Sequence, residues 1–84
     1  MYEVVFTSRA ERELIRLDRQ VKNRILSVAI ALAENPRPPG CIKIKGEENR
    51  WRVRVGDWRI GYAIDDQTRT VTIVAVGHRR EFYK

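Results

Sequence analysis

The chain has 84 residues, of which 43% are hydrophobic and 33% charged, and a formal net charge of +6. That length holds one domain, and a chain so short buries only about 60% of the surface its unfolded form exposes, so a bound partner would add useful stability. The composition excludes a disordered chain, the lone Cys41 excludes an internal disulfide and argues against zinc, and no apolar run reaches membrane length, which makes the cytoplasm the expected compartment.

Residues 2–6, aromatic and β-branched, read as a first strand. Ser8 with Glu11 has the spacing of a capping box and opens a helix over residues 9–18, with Ala10, Leu14 and Leu17 inward. Asp18 caps a second helix over residues 19–34, whose buried face is Val21, Ile25, Val28, Ala29 and Leu32. The two form a helical hairpin. Asn35-Pro36 ends it, because proline disfavours helical geometry in the residue before it. A stiff loop follows at residues 35–41, then a strand at 41–45 and a turn at 46–49.

From Arg50 the alternation is strict. Trp51, Val53 and Val55 interleave with Arg50, Arg52 and Arg54. Gly56-Asp57 predicts a two-residue hairpin turn, since glycine suits the first central position of a type II′ turn. The return strand places Trp58, Ile60, Tyr62 and Ile64 on one face, and Arg59, Gly61 and Ala63 on the other. A last strand over residues 69–77 is rich in Val, Ile and Thr. The order is β-α-α-β-β-β-β: an α+β fold in one domain, with a helical hairpin on one face of a mainly antiparallel sheet.

The two-residue turn sets a register that pairs Val55 with Trp58, Arg54 with Arg59, Arg52 with Gly61 and Arg50 with Ala63. The apolar set meets the helices. The opposite face carries four arginines beside two small residues. Arg54 and Arg59 stand with Cβ atoms about 4.5–5.5 Å apart, and like charges so placed destabilise a sheet. An anion between them reverses the sign. The planar guanidinium donates two hydrogen bonds at once and so suits phosphate, while Gly61 and Ala63 let a nucleotide approach the backbone. The plain alternative is a solvated polar face. The basic excess agrees with a polyanionic partner: residues 1–40 hold seven Lys/Arg against five Asp/Glu, and residues 41–84 hold ten against six. The ending, residues 77–84, adds His78, Arg79, Arg80, Phe82 and Tyr83, groups able to hold phosphate, stack on a base or move a proton.

These residues carry a resemblance. The opening strand and helical hairpin, the segment Ile44-Lys45-Gly46, the run from Trp51 to Ile60 and the ending from Val76 to Tyr83 resemble the RelE/ParE superfamily of toxins, nearer the RelE side, over nearly the whole chain. The resemblance implies a fold like that of microbial ribonucleases and a metal-independent, cofactor-free endoribonuclease. Such a toxin cuts messenger RNA in the ribosomal A site by attack of the 2′-hydroxyl on the adjacent phosphate. It implies Arg52 and Arg54 as basic strand positions at the scissile phosphate and Arg59 as the arginine that steadies it in the transition state. It implies Arg79 at the leaving group and Tyr83 orienting the nucleotide. Lys45 falls at the edge of that site, and Lys43, Arg50, His78 and Arg80 are expected further RNA contacts. It also implies an acidic, partly disordered antitoxin of the RelB kind, with operator DNA bound only through the toxin–antitoxin complex, and no membrane partner.

One departure concerns the base. RelE toxins of this kind carry lysines where Arg52 and Arg54 stand, and arginine effectively never gives up its proton. The proton acceptor is then Tyr83, His78, Glu81 or the ribosome, with Tyr83 preferred. Strand parity does not decide whether Arg79 or Arg80 faces the site. Two other functions fit the fold: a ParE-like inhibitor of DNA gyrase, and a degenerate module that binds RNA without cutting it.

Overall fold

Thr7 ends the first strand and opens the first helix. Its backbone N–H still pairs with the sheet, donating to the Ile73 carbonyl at 3.0 Å, while its hydroxyl accepts from the Ala10 N–H at 3.1 Å. The chain therefore turns one residue earlier than the Ser8 box predicts, and Ser8 becomes the first helical residue. The computed structural model describes residues 1–82. Its elements are β1 (Glu3–Phe6), α1 (Ser8–Ile15), α2 (Arg19–Ala31), β2 (Ile42–Lys43), β3 (Arg50–Val55), β4 (Trp58–Asp65), β5 (Thr70–His78) and α3 (Arg79–Phe82). The second cap is as expected: the Asp18 carboxylate accepts from the Val21 N–H at 3.0 Å.

The five strands form one sheet in the order β1-β5-β4-β3-β2. Only β1 and β5 run parallel; the other neighbours are antiparallel. The α+β class and the strand-hairpin-sheet order stand as read from the sequence, with one addition, the single turn α3. Several bounds differ. Both long helices end about three residues early, at Ile15 and Ala31. The strand expected at 41–45 shortens to Ile42–Lys43, with one further rung from the Ile44 N–H to the Arg50 carbonyl. Arg69 lies outside β5 because it holds the left-handed backbone, φ 53°, that closes the preceding turn. The Asp65 carboxylate accepts from Gln67 and Thr68 N–H in that turn.

The core lies between the helices and one face of the sheet. Ala10 and Leu14 of α1 and Ile25, Ala29 and Leu32 of α2 meet Val53, Val55, Ile60, Tyr62, Ile64, Val71, Ile73 and Val76. Two polar ties fix the proline loop beside this core. The buried Tyr62 hydroxyl donates to the Pro36 carbonyl at 2.8 Å. Arg37 forks onto the Asp66 carboxylate at 2.9 and 3.4 Å, and Tyr2 donates to the same carboxylate at 2.6 Å. Those donors, Arg37 foremost, hold Asp66 below the ordinary aspartate range. The same guanidinium lies 5.2 Å over the Trp51 ring. Held this way, the loop delivers Gly40 and Ile42 beside β3.

Candidate active site

The hairpin register is the one the turn dictates: Arg50 opposite Ala63, Arg52 opposite Gly61, Arg54 opposite Arg59, and Val55 opposite Trp58. Gly56 takes φ 61° and Asp57 keeps a negative φ, as a type II′ turn requires. The strand alternation then commits Arg52, Arg54 and Arg59 to the face away from the helices.

There they line one cleft of about 310 Å³, with Gly40 and Ile42 as the remaining wall. Arg54 and Arg59 do not splay apart. Arg54 Nε donates to the Gly56 carbonyl at 3.0 Å, and Arg59 Nη1 donates to the same oxygen at 3.2 Å and to the Trp58 carbonyl at 3.1 Å. One backbone oxygen thus draws two guanidiniums together. Each keeps donors to spare, since a guanidinium carries five N–H groups. Among the described residues no carboxylate pairs with either. Arg59 is only 9% exposed, an unusual place for a charge whose partners are two neutral carbonyls. Spare guanidinium donors beside neutral carbonyls are chemistry suited to an anion.

The floor beside Arg59 is barer than the hairpin alone suggests. β5 sets Gly77 opposite Arg59 and Ala75 opposite Gly61. Sequence reasoning found Gly61 and Ala63 but missed these two, because they reach the floor through a bulge in β5. Gly61 pairs with Ala75 but Tyr62 pairs with Ile73, so Val74 is an extra residue and the alternation flips.

The same flip moves His78. It stands opposite Trp58, with the two rings edge to face at 5.4 Å. That is the helix side of the sheet, so His78 does not join the arginine cleft as expected. Arg79 does approach the turn. Its N–H donates to the Asp57 carbonyl at 2.8 Å, and its Nε lies 4.0 Å from the Asp57 carboxylate. Arg79 rather than Arg80 is therefore the basic residue held at the turn; the Arg80 N–H turns back to His78 Nδ1 at 3.4 Å. An ion pair so exposed and long contributes little.

Lys43 pairs with Trp51 and so starts from the helix side of β2. Lys43 and Lys45 stay out of the cleft and line an adjoining depression of about 380 Å³, which shares Ile42 and Arg52 with it. Arg50 is on the arginine face but one step beyond the cleft lining. Tyr83 lies outside the described residues. Sequence reasoning also missed Arg24 of α2, whose guanidinium lies against Gly56: a Cβ built on that glycine would meet Arg24 Nη2 at 2.8 Å. No helical pattern signals that contact; it exists only once α2 is laid along the sheet.

A small α+β toxin-like domain with an arginine cleft on the open face of its sheet is the class these features define. The family model for the ParE toxin of type II toxin–antitoxin systems matches residues 4–83. Toxin RelG of Mycobacterium tuberculosis is 31% identical over 84 residues, covering 99% of this chain and 97% of that protein. The RelBE2 toxin–antitoxin complex of the same organism holds a chain with a TM-score of 0.81 and 31% identity, over 93% of this chain and 98% of that one. The toxin in the RelE–RelB complex of Pyrococcus horikoshii gives a TM-score of 0.82 at 24% identity, over 93% and 94%; that likeness is one of fold. The chain belongs to the RelE/ParE superfamily and is a toxin of the type II toxin–antitoxin class.

Proposed function

We propose that the protein is a ribosome-dependent mRNA endonuclease that inhibits translation. The observation carrying this reading is the convergence of Arg54 and Arg59 on one carbonyl at the cleft, where among the described residues no carboxylate pairs with either. In the reaction the 2′-hydroxyl loses its proton and attacks the adjacent phosphorus. The bond from phosphorus to the 5′-oxygen breaks, and that oxygen takes up a proton from the protonated base or from water, leaving a cyclic phosphate and a 5′-hydroxyl. Charge builds on the non-bridging oxygens of the pentavalent phosphate. Arg52, Arg54 and Arg59 meet that charge with preorganised donors, and Arg79 at the turn serves the departing oxygen.

Arginine does not take the 2′-proton. Among the described residues the cleft lining offers no other titratable group, and His78 is on the other side of the sheet. The expected base is Tyr83, with Glu81 or the ribosome as the alternatives, and alignment of the RNA by the ribosome supplies what the cleft lacks. RNA contacts at Lys43, Lys45, Arg50 and Arg80 extend the basic surface around it. An acidic antitoxin of the RelB kind is the expected partner, covering the arginines and bringing the complex to operator DNA.

The family model's own description, a ParE toxin, favours gyrase inhibition as the second reading. One experiment separates them. Arg59→Ala and Arg79→Ala are each expected to lower cleavage of ribosome-bound mRNA by about 10²–10³-fold while leaving the melting temperature near that of the wild type. Full cleavage by both variants rejects the site. Blocked DNA supercoiling with intact translation selects the gyrase reading instead.

A further inference from the structure

Four guanidinium groups surround the two-residue turn. Arg54 and Arg59 bind the Gly56 carbonyl from the open face, Arg79 sits by the Asp57 carboxylate, and Arg24 reaches over from α2 to lie against Gly56. Of the four, Arg79 alone has a carboxylate at ion-pair distance among the described residues, that of Asp57. A single phosphate in the cleft engages the arginines of the open face. It leaves Arg24 over, because that side chain arrives from the helix layer and does not line the cleft.

We propose that Arg24 binds the phosphate next to the scissile one, so that the RNA strand crosses the Gly56 turn held at two successive phosphates. This rests on the reading of the cleft as an RNA site. Three observations carry it. The first is proximity: with Gly56 as the shared neighbour, Arg24 Nη2 lies within roughly 9 Å of Arg54 Nε, since the Cβ position and carbonyl oxygen of one residue are about 3 Å apart. The second is availability: among the described residues no carboxylate pairs with Arg24.

The third is the ground between. Arg24 precedes Ser27, Val28 and Ala31 on one ridge of α2, and that ridge lines a groove of about 390 Å³ together with the proline loop (Pro38, Pro39) and with Val53 and Arg54 of β3; Arg24 stands one turn before this lining. Arg54 thus borders both the groove and the arginine cleft. A strand leaving the cleft past Arg54 meets Arg24 at the turn end of this groove. The glycine at 56 answers the turn's need for positive φ, but an asparagine also tolerates that backbone. Its Cβ, unlike glycine's hydrogen, would displace Arg24. The bland reading, a long side chain resting on an exposed turn, gives Arg24 no coupling to any particular phosphate.

The test uses the full chain on ribosome-bound mRNA whose linkage on one side or the other of the cleavage site is a neutral methylphosphonate. On natural mRNA, Arg24→Gln is expected to lower kcat/KM roughly ten- to hundredfold, with Arg24→Lys recovering part. On one of the two methylphosphonate mRNAs, wild type and Arg24→Gln are expected to become equal. A loss of the same size on all three mRNAs, or no loss on any, overturns the proposal while wild-type cleavage leaves the endonuclease reading standing. Absence of wild-type cleavage on natural mRNA overturns both.

Discussion

Arg59 is the residue on which sequence, stability and chemistry meet. Its neighbours in the chain make it the cross-strand partner of Arg54, a pairing that disfavours the sheet on its own. The fold accepts it by giving both side chains one backbone oxygen, with further donors of each left over. This much was legible, because a two-residue glycine turn fixes register and register fixes which side chains share a face. The partners from other elements were not. Arg24 depends on how α2 lies against the hairpin, and His78 depends on a bulge that no alternation pattern announces: counting by twos from Val71 gives the wrong side for it. Tyr62 shows the opposite case, a core aromatic whose hydroxyl was invisible as a tie in the sequence. Its loss in Tyr62→Phe leaves the Pro36 carbonyl without that donor and is expected to reduce stability by about 1–3 kcal/mol in urea unfolding. Burial raises the Tyr62 pKa above its ordinary value near 10. The unfolded chain therefore loses this proton first, and stability contributed below pH about 10 declines as pH rises past it. Tyr62→Phe is expected to flatten that alkaline decline; an unchanged decline would show that other groups cause it.

At the scale of elements, the open edge of β5 shows how the fold protects what the site needs. β1 pairs with β5 only from Thr70 to Ile73. Past that point the Val76 N–H faces no strand, and the Glu13 carboxylate of α1 accepts it at 2.8 Å. Glu13 also takes an ion pair from Arg9 one turn earlier. The stretch held this way leads directly to Gly77 and Arg79, so α1 supports the site's floor from the far side. Glu13→Ala is expected to speed hydrogen exchange at the Val76 amide and to reduce stability by about 1–3 kcal/mol, whereas Glu13→Gln, whose amide oxygen still accepts, should retain most of the protection. Equal exchange in Glu13→Ala and wild type would show that the bond is idle. Element types were readable from periodicity and caps. Their ends were less so, for local reasons: the Ser8–Glu11 spacing points to Ser8 as the cap, but the sheet pairs the Thr7 N–H and the Thr7 hydroxyl caps α1 instead, and β2 keeps one more rung, from the Ile44 N–H to the Arg50 carbonyl, before the turn to β3.

At the scale of the whole molecule, the layers divide the labour. One sheet face carries the core with both long helices, and the other carries a basic cleft whose contour comes from three strands and the proline loop. Four of the cations behind the net charge of +6 gather around residues 56 and 57, and among the described residues only Arg79 of these approaches a carboxylate. The membership in the RelE/ParE superfamily and the arginine cleft then describe one object from two directions. The most direct measurement is a double-mutant cycle on Arg54 and Arg59. Its readout is affinity for a ribosome-bound mRNA made uncleavable by a 2′-deoxy nucleotide at the cut. If both guanidiniums hold the same phosphodiester, the double variant Arg54→Ala/Arg59→Ala loses less than the two single losses together, by about 0.5 kcal/mol or more. Losses that add within about 0.3 kcal/mol would place the two arginines on separate groups and contradict a shared phosphate.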